Sequence, residues 1–152
     1  MQRLSIFLGA LLLSSTPAIA DDYFYLNCEE SFEAEVLHTN TSKLIKEEPK
    51  SHVGVYKISI KDKTIKVVAV GERESLKTYN VEIDDDQLTY SETSDVYNGK
   101  SSFQLMMNLS PPFNSESRGK FIVNESPVII YWKNEGVCKK VDASVFEKAL
   151  NQ

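Results

Sequence analysis

Two cysteines, Cys28 and Cys138, stand near the two ends of everything in this chain that reads as foldable. A bridge between them requires Cα atoms within about 7 Å, so the first and last elements of the fold must be neighbours. Pairing also presupposes an oxidising compartment, and the N-terminus argues for one. Arg3 precedes the apolar run IFLGALLL, and Ala18-Ile19-Ala20 places small residues before Asp21, the pattern of a cleaved signal peptide. The run is too short for a membrane span, which takes about 20 apolar residues. The expected organisation is a signal peptide over 1–20 and a single β domain over 21–152, periplasmic or secreted, tied by a Cys28–Cys138 disulfide.

Between the cysteines the hydrophobic period is that of strands. Tyr56, Ile58 and Ile60 alternate with Lys57, Ser59 and Lys61, and the β-branched run TIKVVAV follows a turn at Lys61-Asp62-Lys63. Tyr79, Val81 and Ile83 alternate in the same way, Asp84-Asp85-Asp86 interrupts, and Leu88 and Tyr90 resume. Asn98-Gly99 is a strong two-residue turn signal because both types accept positive φ, and Phe103, Leu105, Met107 and Leu109 follow at period 2. Tyr23–Cys28 and Phe32–Leu37 read as two early strands. Thr39–Ser51 reads as an exposed loop with a helical turn at Leu44 and Ile45, and Asn114–Gly119 as a polar loop. Val128–Val141 reads as a closing hairpin turning at Asn134-Glu135-Gly136. Asp142 is placed to cap a short helix carrying Val145, Phe146, Ala149 and Leu150 on one face.

Nine or ten strands joined by short connections, without alternating helices, define an all-β fold. The expectation is an antiparallel meander closed as a barrel or folded as a two-sheet sandwich, with a short C-terminal helix. The bridge would clasp first strand to last and so favours closure.

The residues that carry chemistry are sparse. Asp84-Asp85-Asp86 lacks the DxDxDG spacing of a calcium loop, and His38 and His52 have no metal-ligand spacing with the cysteines. Glu29-Glu30 and Glu47-Glu48 are neighbours rather than facing pairs. There is no GxSxG elbow and no phosphate-binding glycine loop. No catalytic residue, cofactor or metal ligand is therefore assigned. The formal net charge is −5 over the whole chain, and clusters of positive charge are small and broken by acids, as in Lys43-Leu44-Ile45-Lys46-Glu47-Glu48, which argues against a nucleic-acid partner, whose phosphates demand a basic stripe.

The layout of an early strand ending in cysteine (YFYLNC), a β-meander and a closing strand with Gly136-Val137-Cys138-Lys139 resembles uncharacterised small exported β proteins of Gram-negative bacteria. That resemblance implies a periplasmic setting and carries no activity. In general style the chain is also similar to the periplasmic lysozyme inhibitors, although it lacks their Ser-Gly-x-x-Tyr stretch.

The function expected is non-catalytic binding of another protein, of basic charge, as an inhibitor, immunity protein or envelope accessory factor. Thr39–Ser51 and Pro111–Gly119 are then the recognition loops. The alternative is a lipocalin-like carrier, with Tyr56, Tyr79, Phe103, Met107, Phe121 and Trp132 facing a small hydrophobic ligand. No nucleic acid and no membrane anchor is expected after signal removal, and the sequence sets no oligomeric state.

Overall fold

A computed structural model describes residues 23–69 and 78–151. The signal-peptide reading of residues 1–20 therefore lies outside the described residues. The strands are β1 (Tyr23–His38), β2 (Lys43–Lys46), β3 (Lys50–Ser59), β4 (Thr64–Ala69), β5 (Thr78–Asn80), β6 (Glu82–Asp84), β7 (Gln87–Val96), β8 (Gly99–Asn108), β9 (Asn114–Val123) and β10 (Val128–Lys140), followed by the helix α1 (Ala143–Leu150). All pairings are antiparallel, in the order β5-β4-β3-β1-β10-β9-β8-β7-β6, with β2 appended to β1.

The two edges of this sheet, β5 and β6, are consecutive in the chain with only Val81 between them. Thr78–Asn80 pairs with β4 and Glu82–Asp84 pairs with β7, so one extended segment spans both edges and brings the sheet nearly to a closed barrel. The Val81 amide donates to Lys63 O at 2.9 Å, extending the β4–β5 pairing to the joint between the two edges. Above the seam, the edge of β7 from Tyr90 to Val96 pairs with β8 alone among the described residues.

First and last strands do pair, over the full register from Leu26↔Lys140 to His38↔Val128, and the Cys28–Cys138 bridge joins residues directly opposite each other, with Cα atoms 4.0 Å apart. Two early strands and a closing hairpin were expected here, and both expectations are corrected. Tyr23–His38 is one strand of 16 residues and Val128–Lys140 one of 13. Each continues because its alternation never breaks. Leu26, Cys28, Glu30 and Ala34 are buried, as are Gly136 and Cys138, while Val137 between them is 77% exposed.

Two expected loops are likewise strand. Lys43–Lys46 pairs with Glu35–His38 as an edge strand rather than a helical turn. Asn114–Gly119 is the first part of β9, with Ser115 and Ser117 buried inside. The two-residue turn after β7 is Tyr97-Asn98, one position earlier than expected, since Val96 pairs with Gly99. Neither Tyr97 nor Asn98 has positive φ. Gly99 is needed for close approach instead, because a Cβ there would lie 2.0 Å from Ile122 O.

One end of the barrel is an apolar plug. Leu26, Ile58, Ile65, Leu88 and Met107 are each at most 1% exposed, and burial of side chains of this size stabilises by about 1.5 to 3 kcal/mol each. On the outside, α1 lies against β3 and β4 and buries Phe146, whose ring is 6.0 Å from that of Tyr25. The helix has only eight residues, too few to persist alone, so this contact holds it.

Candidate binding site in the barrel interior

Strand alternation places Glu30 inside because Cys28, two residues earlier, is inside. The residue is 4% exposed. An isolated buried carboxylate is strongly disfavoured, so it must be met by donors. The register supplies them from three strands other than its own. Glu30 faces His52 on β3 and Gly136 on β10, and Gly136 faces Ser115 on β9.

The Tyr56 hydroxyl donates to Glu30 Oε1 at 2.6 Å and the Ser115 hydroxyl to the same oxygen at 2.8 Å. Asn134 Nδ2 donates to Oε2 at 3.0 Å, and His52 Nε2 lies 2.9 Å from it. Each oxygen thus has two partners, and the carboxylate is saturated as an acceptor. Burial above all, then the Glu30 charge and the hydrogen bond to it, push the Tyr56 hydroxyl well above the ordinary tyrosine range.

Gly136 makes the space for this cluster. A Cβ at that position would stand 2.4 Å from Ser115 Oγ and 2.7 Å from Glu30 Cγ. Gly54 does the same on the other side, where a Cβ would meet the Tyr56 ring at 2.9 Å.

Above the cluster runs a band of aromatic rings. Tyr79 and Tyr90 have centroids 5.2 Å apart, Tyr90 and Phe103 5.8 Å, Phe103 and Trp132 5.3 Å, and Trp132 and Phe32 6.3 Å. Gly119 lets the Trp132 indole lie flat against β9, since a Cβ there would be 2.4 Å from the ring. The Tyr90 hydroxyl donates to Glu92 at 2.6 Å, and its pKa is pushed up to about 12, chiefly by desolvation and then by that hydrogen bond.

Between band and cluster lies a cavity of about 230 Å³. Its walls are Val67, Leu105 and the rings of Tyr56, Tyr79, Tyr90 and Phe103, with Glu30, His52, Ser117 and Asn134 at one end. Asn134 Oδ1 is buried and has no hydrogen-bond partner among the described residues. Mostly apolar walls with a few converging polar groups are the usual make-up of a small-molecule site. The outer face of β3, β1, β10 and β9 carries a second feature, a broad depression of about 680 Å³ edged by Glu29, Glu116 and Glu135.

Of the residues singled out in the sequence, Tyr56, Tyr79 and Phe103 meet at the cavity, with Trp132 stacked behind Phe103, whereas Met107 belongs to the plug. Asp84-Asp85-Asp86 forms the exposed β6–β7 turn, with Asp85 at φ 49°. His38 ends β1, and His52 belongs to the interior cluster. Glu30 was missed as a site residue. The signal that marks it is the period of 2 running inward from Cys28. Among the described residues, no group of three or more His, Cys, Asp or Glu side chains is arranged to hold a metal ion.

Neither a protein-family model nor a curated protein matches the chain. A solved crystal structure of a surface lipoprotein is similar to it over 75% of this chain and 61% of that one, with 12% identity and a TM-score of 0.38.

Proposed function

We propose that this is a non-catalytic, exported binding protein that holds a small ligand inside the barrel, the ligand's body against the aromatic band and its polar end toward Glu30 and Asn134. The observation that carries this reading is the cavity of about 230 Å³ between the rings and the buried polar cluster. A barrel filled only for stability has no need of a buried carboxylate served by four donors from three strands. Replacing such groups by well-packed apolar ones is often neutral or stabilising. The disulfide fits an oxidising compartment, and the signal-peptide pattern makes the periplasm the setting we favour.

The test is native mass spectrometry of the protein purified from its own exported fraction. A co-purifying small molecule at close to one per chain supports the reading. A chain of bare mass, combined with capture of a single dominant protein partner from the same fraction, contradicts it.

Binding of a basic protein is a second reading, and a separate observation favours it. The outer depression edged by Glu29, Glu116 and Glu135 adds a local acidic surface to an acidic chain, which would speed encounter with a partner of opposite charge. Recognition would then use a sheet face, since Lys43–Lys46 and Asn114–Gly119, within the two segments expected as recognition loops, are paired strand.

A further inference from the structure

We propose that the barrel interior selects an organic cation, an amine carried on a small flat apolar body, whose ammonium group takes over the position of His52 at Glu30 Oε2. This rests on the interior being a ligand site and names the chemistry of what enters it.

Charge comes first. Among the described residues lining the cavity, Glu30 is the one carboxylate, and no lysine or arginine is present. A second carboxylate, Glu92, stands next to the cavity wall through the Tyr90 hydroxyl. The rings supply the same preference by another route. Tyr56, Tyr79, Tyr90 and Phe103 line the space, and a cation seated over an aromatic ring gains most where water is excluded. An anion would meet the Glu30 carboxylate with no basic side chain in the lining to offset it.

The hydrogen bonds set where the cation goes. Three of the four donors to Glu30 are neutral groups fixed on the barrel wall, namely Tyr56, Ser115 and Asn134. The fourth, His52, has a side chain 36% exposed while that of Glu30 is 2% exposed. The imidazole can therefore turn to water at little loss, and Oε2 is the one acceptor site on the carboxylate that can be vacated. An ammonium has three donors. One would replace His52 at Oε2, and Asn134 Oδ1, buried without a partner beside the cavity, would accept a second. A neutral alcohol supplies a single donor and no charge.

Trp132 is the only tryptophan in the chain and stacks on Phe103, a cavity wall residue, so its fluorescence reports on the site. The experiment titrates the full mature protein with benzylammonium, benzyl alcohol and benzoate, which share one ring and differ in charge, at neutral pH and fixed ionic strength. Benzylammonium is expected to saturate at about tenfold lower concentration than benzyl alcohol or better, with benzoate weakest.

Benzyl alcohol or benzoate binding as tightly as benzylammonium overturns the cation assignment and leaves the interior site standing. Absence of saturation with all three overturns both. Glu30→Gln should abolish the preference for benzylammonium. Because that variant removes the charge on which the interior is built, His52→Ala provides the second arm. It opens Oε2 and is expected to tighten benzylammonium severalfold while leaving benzyl alcohol unchanged. Equal loss for both ligands in His52→Ala contradicts the displacement of His52.

Discussion

Tyr56 donates its hydroxyl proton to Glu30 Oε1 over 2.6 Å in the closed centre of the barrel, joining β3 to β1. Both groups are at most 5% exposed, so neither can fall back on water. Tyr56→Phe leaves the carboxylate one donor short without changing the shape of the core. It is expected to lower unfolding free energy by about 1 to 3 kcal/mol, the cost of an unmet buried acceptor, as measured by urea denaturation. A change within about 0.5 kcal/mol, the range of an ordinary surface substitution, would show that the bond contributes nothing net.

The same pair sets an alkaline limit. Tyr56 and Tyr90 both have hydroxyl pKa values raised above the ordinary value of 10, Tyr90 to about 12. Between the unfolded and folded values the native state binds more protons than the unfolded one, so stability falls as pH rises. The stabilisation is complete below pH 10 and is lost as pH climbs through the folded values, across 10 to 12 for Tyr90 and beyond the ordinary range for Tyr56. A series of urea unfolding curves from pH 8 to about 12 should show this decline, with Tyr56→Phe reducing its slope. A variant slope equal to that of the wild type would remove Tyr56 as its source.

Gly136 is small because Glu30 and Ser115 occupy the space a side chain would need. Gly136→Ala forces the cluster apart and is expected to destabilise by about 1 to 3 kcal/mol, as overpacking does. Val137→Ala, one residue along and 77% exposed, is the control and should stay within about 0.5 kcal/mol. Thermal melts of the pair separate a local steric demand from general sensitivity of β10.

The disulfide closes a separation of 110 residues between paired strands. Constraint of the unfolded chain by so long a loop is worth on the order of 4 to 5 kcal/mol in the entropy model. The double replacement of Cys28 and Cys138 by Ser should lower stability by up to that amount while keeping the β-type circular dichroism spectrum at low temperature. A native-like melting temperature would mean that the β1–β10 register alone suffices.

Where apolar residues alternate, the strands were legible in the sequence. Tyr56 and Ile58 announce β3, although Ile60, next in the alternation, lies past its end and is exposed, and the cysteine pair announces the β1–β10 contact. The errors share one cause. Reading NSESRG as a loop and Asn134-Glu135-Gly136 as a turn took polar and small residues to be outside, whereas Ser115, Asn134 and Gly136 are chosen for a charge in the interior. That charge sits 85 to 106 residues away in the chain, and local periodicity carries no trace of a partner so distant. Glu30 itself was hidden by its neighbour Glu29. Two adjacent acids look alike in sequence, and only the alternation of the strand sends one to solvent and the other to the core.

Site mapping by NMR tests the interior reading most directly. With the protein saturated by benzylammonium, intermolecular Overhauser contacts from the ligand's ring protons should reach the rings of Tyr79, Tyr90 and Phe103, which wall the cavity. Contacts confined to outer-face residues such as Tyr131 or Val137, both exposed, would contradict a ligand inside the barrel.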